Sequence, residues 1–158
     1  MTALVPVLVA SLFSFATGFF VVLSYVEKPI WPLMFGADGE DVPTEDARLV
    51  HAELKRVIGL APPTMITVVA SGTLLVFVQA WQYDLRWMAV AVAAWLVLSM
   101  GYVVSQLRAR IEAVKSVSSD GDAPAVRRGV GRLAALHHLG LASTGGVVLL
   151  QLLFVLTL

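Results

Sequence analysis

Four stretches without a single Lys, Arg, Asp or Glu constrain this chain more than any other feature. They span 1–26, 57–83, 87–107 and 133–158 and hold 26, 27, 21 and 26 residues. A helix rising about 1.5 Å per residue needs roughly 20 apolar residues to cross about 30 Å of hydrocarbon. Every stretch meets that length. Apolar runs of only about 10–14 residues point instead to a buried helix of a soluble core. Transmembrane barrels need short alternating segments instead of continuous apolar runs. The chain therefore reads as all-α: an integral membrane four-helix antiparallel bundle forming one transmembrane domain over 1–158. Its helices are expected at about 3–26, 57–82, 87–107 and 133–157. Composition agrees, with 58% hydrophobic and 14% charged residues, against about 45–50% and about 25% in soluble domains.

The basic residues set the expected orientation. Segments 27–56 and 108–132 fall on one side of the membrane and hold ten of the eleven Lys and Arg residues; Arg86 alone falls on the other. Cytoplasmic loops carry the basic excess, so both long segments are placed in the cytoplasm and both chain ends outside (N-out/C-out), in the plasma membrane, the inner membrane of a bacterium. The first stretch has no basic residue ahead of it and exceeds a signal h-region of about 7–15 residues, so it is expected to stay as a crossing. Cysteine is absent, which removes disulfides, thiolate metal sites and cysteine nucleophiles. A formal net charge of zero gives no reason to expect nucleic acid as a partner.

Local signals fill in the layout. Ser11, Ser14, Thr17 and Gly18 share one face of the first helix, as a packing seam would. Pro29 and Pro32 end that helix. Gly36, Gly39 and the acids Asp38, Glu40 and Asp41 read as an exposed turn. Thr44 is expected to cap an amphipathic helix over 45–60 whose apolar stripe includes Val50, Leu54 and Ile58, with His51 inside it. Pro62-Pro63 predicts a kink in the second crossing, with Thr64 or Thr67 satisfying the freed carbonyls. Trp81, Tyr83 and Trp87 ring the short turn as interfacial aromatics. Ser116 to Pro124 reads as a flexible linker. Gly140, Gly145 and Gly146 look like packing glycines.

Ionisable groups within or beside the apolar stretches mark the candidate site, because burying one in a membrane is costly. His137, Thr144 and Gln151 recur every seven residues and drift only about 20° per step. That stripe must face the bundle interior. Glu27 closes the first helix, and all three histidines fall near the same end of the crossings. His51, His137 or His138, with Glu27 or Glu53, are therefore candidate ligands for a transition metal (copper, iron or zinc). Alternatively, His137, His51 and Glu27 are candidate catalytic groups in proton transfer. No His-Glu-x-x-His run or Glu-x-x-His pair supports a particular metal site.

Ala16-Thr17-Gly18-Phe19-Phe20, then Ser24-Tyr25-Val26-Glu27-Lys28-Pro29, resembles the first helix of the anthrone oxygenase-like four-helix membrane family. Arg132-Leu133-Ala134-Ala135-Leu136-His137-His138 is similar to the opening of that family's last crossing. Its Asn-Pro-Leu-Asn-like residues after helix three and its Asn-x-x-Arg motif in helix four have no counterpart here. The Leu-His start of the last helix also resembles a transmembrane protein 205-like group. The first resemblance implies oxidation of an aromatic or polyketide-like substrate by oxygen. The expected function is accordingly a small membrane oxidoreductase, oxygenase-like, acting on a lipophilic substrate that enters from the bilayer. Its site would be a His/Glu metal or proton-transfer centre at the cytoplasmic interface. The alternative is a non-enzymatic accessory subunit or small carrier, working as a homo-oligomer or beside a partner membrane subunit.

Overall fold

A computed structural model describes residues 4–35 and 42–157. Helix α1 (Leu4–Val26) leads into a 3-10 helix (Lys28–Phe35), followed by α2 (Thr44–Gln82), α3 (Trp87–Lys115) and α4 (Ala123–Leu156). Each α-helix is long and apolar enough to cross a membrane, and the described residues form no strand. The acidic turn expected around Asp38, Glu40 and Asp41 lies outside the described residues.

The outer face of the bundle is itself apolar. Leu74, Leu98 and Leu149 are 65%, 77% and 65% exposed, and Trp81 and Trp87 stand out at the short turn. Apolar area this continuous marks a surface that meets something other than water. The interior is packed in three layers: Ile30, Val50, Leu54 and Val130 at the end bearing the long connections, Phe13, Val76, Leu96 and Val147 in the middle, and Met88 and Phe154 at the short turn.

The helices run further than the uncharged stretches. The expected 45–60 helix and the second crossing are one continuous helix, and the expected loop 108–132 shrinks to 116–122. Apolar periodicity explains this: Ile111 and Val114 continue the inward stripe of α3, and Val126, Val130 and Leu133 open that of α4. Burial outlasts the hydrocarbon, so the helices do too. Asp122 caps α4, its side chain accepting from the Ala125 N–H at 3.2 Å, with Pro124 in the first turn.

Three local expectations are corrected. Residue Pro43, not Thr44, occupies the cap of α2, and the Thr44 hydroxyl instead accepts from Arg127 at 3.0 Å. Pro62 and Pro63 lie inside α2, but Thr67 donates to the Pro63 carbonyl at 2.9 Å, whereas prolines at these positions free the carbonyls four residues earlier. Ser11, Ser14 and Gly18 face outwards, and nothing lies within 4 Å of where a Gly18 Cβ would be. The buried face of α1 is Val9, Phe13, Ala16 and Leu23, because large apolar groups gain most from contact with the other helices.

Close approach uses aromatic rings laid on glycine. A Cβ on Gly72 would meet the Phe13 ring at 2.7 Å, and one on Gly140 would meet the Phe20 ring at 2.6 Å. Gly146 seats Trp95 in the same way, and the Trp95 indole N–H donates to the Ser143 carbonyl at 3.0 Å. Gly145 meets only the Thr17 methyl, at 3.9 Å.

Candidate functional site

The site begins where α1 stops. Glu27 follows the last helical residue, its N–H still bonded to the Leu23 carbonyl at 2.9 Å, so its side chain stays on the inward face below Leu23. It is completely buried. On α4, Leu133, Leu136 and Gly140 bury the same face that carries His137. The two side chains meet: His137 Nδ1 lies 2.5 Å from Glu27 Oε1. Glu27 Oε2 has no hydrogen-bond partner among the described residues. The His137 ring packs against Phe20 at 6.2 Å between centroids, and Phe20 is held there by its seat on Gly140.

Beside this pair, α2 and α3 leave a cavity of about 800 Å³. Its walls are apolar, from Phe20 and Leu23 at the back to Met65, Val69, Met100 and Val104. The mouth is framed by Ile66, Leu74, Phe77 and Val97, all exposed, so it opens sideways through the apolar outer surface. His137 and Thr73 are the wall residues with polar side chains. The Thr73 hydroxyl is engaged by the Val69 carbonyl at 2.7 Å. His137 is 12% exposed, and its Nε2 has no partner among the described residues. His137 is therefore the wall side chain with an uncommitted polar atom.

His138 belongs to a separate arrangement. Its Nδ1 donates to the Ala134 carbonyl at 2.9 Å, its Nε2 lies 2.9 Å from the Ser24 hydroxyl, and Trp31 stands edge-on at 5.7 Å. Both nitrogens are used, and the ring ties α4 to the end of α1.

His51 is committed elsewhere too. It is fully buried, donating from Nε2 to the Val114 carbonyl at 3.1 Å, with Nδ1 at 3.0 Å from the Ser119 hydroxyl. It sits before the uncharged part of α2, at the end of the bundle where α3 closes. Burial pushes its pKa below the ordinary 6.5, the Val114 bond opposes this, and Lys55 adds to the lowering. Around it, Lys55 donates to the Val117 carbonyl at 3.0 Å and Arg48 to that of Gly121 at 3.2 Å. The segment read as a flexible linker is thus clasped by three side chains of α2. Glu53 points outwards and pairs with Arg56 at 3.3 Å.

Of the five candidate residues, the structure brings Glu27 and His137 together and keeps His51, His138 and Glu53 in other contacts. No group of three or more His, Asp or Glu suited to a metal ion occurs among the described residues. Near the short turn lies a polar contact that sequence reasoning half found. Gln151 was legible from its heptad stripe, but its partner was not. Gln79 and Gln151 exchange amide bonds at 3.0 and 2.7 Å, and both are fully buried. The available signal was Gln79 itself, one of two glutamines in a 27-residue uncharged run, the other, Gln82, standing at its end.

No family model, no curated protein and no solved structure matches the chain. It is a membrane protein built as an all-α bundle of four long apolar helices. That layout is general to multi-span membrane proteins and singles out no family.

Proposed function

We propose that this protein is a small, non-enzymatic membrane carrier or accessory subunit that holds a lipophilic molecule drawn laterally from the bilayer. The observation that carries this reading is the cavity itself: apolar walls, a mouth on the lipid-facing side, and in its wall an imidazole with one unpartnered nitrogen. Ligand sites are commonly apolar concavities with a few placed polar groups, about 300–1,000 Å³ in volume. A plain packing defect gives no reason to hold a buried carboxylate against the imidazole in its wall. The contact with Glu27 fixes which way the His137 ring faces. Metal-dependent oxygenation has less support, since one imidazole and one carboxylate fall short of the roughly three protein ligands of a catalytic metal centre. In the orientation we favour, segments 27–56 and 116–122 face the cytoplasm, and the cavity and the pair lie in the cytoplasmic half of a plasma membrane.

Filling the chamber tests the reading. Gly101 lines it, and no atom lies within 4 Å of where its Cβ would be, so Gly101→Phe adds a ring at the cavity wall from a position with room for its Cβ. Both proteins, extracted from membranes in lipid nanodiscs, are analysed by mass spectrometry of their organic extracts. A lipophile enriched on the natural protein and depleted at least about tenfold on the variant is expected, a loss of roughly 1.4 kcal/mol. Identical extracts would sink the proposal.

A further inference from the structure

The burial of Glu27 decides which polar group a ligand must bring. Its carboxyl is wholly buried, Oε2 meets no donor, and His137 is its one ion-pair partner among the described residues. A carboxylate beside a neutral imidazole would leave an uncompensated negative charge in a medium of low dielectric, which is the costly arrangement for a buried pair. Two proton placements avoid it. In one, His137 is an imidazolium facing a carboxylate; in the other, a protonated Glu27 donates to Nδ1 of a neutral ring. The first has hydrogen on both ring nitrogens. In the second, Nδ1 is the acceptor, so the ring hydrogen sits on Nε2. Both placements therefore present an N–H to the cavity.

We infer that the cavity selects lipophiles whose single polar group is a hydrogen-bond acceptor, the carbonyl of a ketone, ester or amide, with His137 Nε2–H as the donor. The inference rests on the cavity being the binding site proposed above. Thr73 offers no rival anchor while its hydroxyl serves Val69. The acceptor end would lie against His137 and the apolar remainder would run along α2 towards Phe77.

Two probes matched except for one carbonyl separate the possibilities: a dodecanoyl-naphthalene ketone labelled with carbon-13 at the carbonyl, and the corresponding dodecyl-naphthalene. Binding is measured by fluorescence with the full chain in nanodiscs. The ketone is expected to bind about tenfold or more tightly than the hydrocarbon, with the infrared stretch of its bound carbonyl shifted to lower frequency. His137→Phe, and the double variant His137→Phe/Glu27→Leu, which leaves no buried polar group unpaired, should bind both probes equally and lose the shift. Equal affinity of the two probes for the natural protein, each displaced by Gly101→Phe, would overturn the acceptor rule and leave the cavity as a binding site. Binding of neither probe would overturn both readings.

Discussion

Glu27 and His137 are 110 residues apart in the chain and meet through a single hydrogen bond to a fully buried carboxyl group. Removing one partner strands the other, whereas removing both leaves apolar packing. Glu27→Leu and His137→Phe should each lower stability by about 1–3 kcal/mol, and the double variant should recover most of that loss. Unfolding midpoints in one detergent check this; additive losses would show that the two groups do not interact. His51 carries a different prediction. Folding lowers its pKa from 6.5, so the unfolded chain takes up the proton first, as acidity rises. The contribution of His51 to stability is therefore complete above about pH 6.5 and declines as pH falls below it. Protection against hydrogen exchange across 116–122, corrected for the intrinsic rate at each pH, should fall from pH 7 to pH 5. His51→Gln, which can still donate to Val114 and accept from Ser119, should flatten that response. An unchanged profile in the variant would assign the acid sensitivity to other groups.

At the scale of the helices, glycines with the same local conformation have opposite roles. Gly140 and Gly101 both lie inside α-helices, yet one faces the Phe20 ring and the other faces open space. Alanine stabilises a helix interior by about 0.5–1 kcal/mol relative to glycine. Gly101→Ala should realise that gain. Gly140→Ala should lose about 1–3 kcal/mol, because Phe20 must move off its seat. The loss should extend to the site, since Phe20 packs on His137 and lines the cavity. Thermal unfolding of the two variants side by side decides the matter, and a gain at both positions would refute the ring-on-glycine packing. The same scale explains what the linker reading missed. Ser, Gly, Asp and Pro are turn residues, but here the Gly121 and Val117 carbonyls accept from Arg48 and Lys55 across the bundle.

The whole molecule divides into a lipid-facing shell and a polar interior column. Apolar side chains cover the outside, while His137, Thr144 and Gln151 line up inside α4. This inverts the arrangement of a water-soluble bundle, as hydrocarbon solvent requires. The proposed orientation belongs to this scale and is open to direct labelling. The natural chain has no cysteine, so Asp84→Cys and Asp120→Cys each introduce a unique thiol at opposite ends of the bundle. In intact cells a membrane-impermeant maleimide should label residue 84 and spare residue 120 until the cells are permeabilised. The reverse pattern would turn the protein over and place the site in the outer half of the membrane.

Charge-free length determined the number of crossings, and the seven-residue spacing on α4 determined which of its polar groups turn inwards, because both follow from one-dimensional periodicity and a solvent that rejects polar atoms. Contacts between segments were beyond that reach. Whether His51 joins Glu27 or Ser119, whether Ser11 and Ser14 face a neighbour or the outside, and where α2 and α3 part to leave a chamber depend on how bulky side chains interlock across helices. Phe13 on Gly72 and Phe20 on Gly140 set those helix rotations. Such pairings join residues 59 and 120 positions apart in the chain, a separation over which local pattern carries no information.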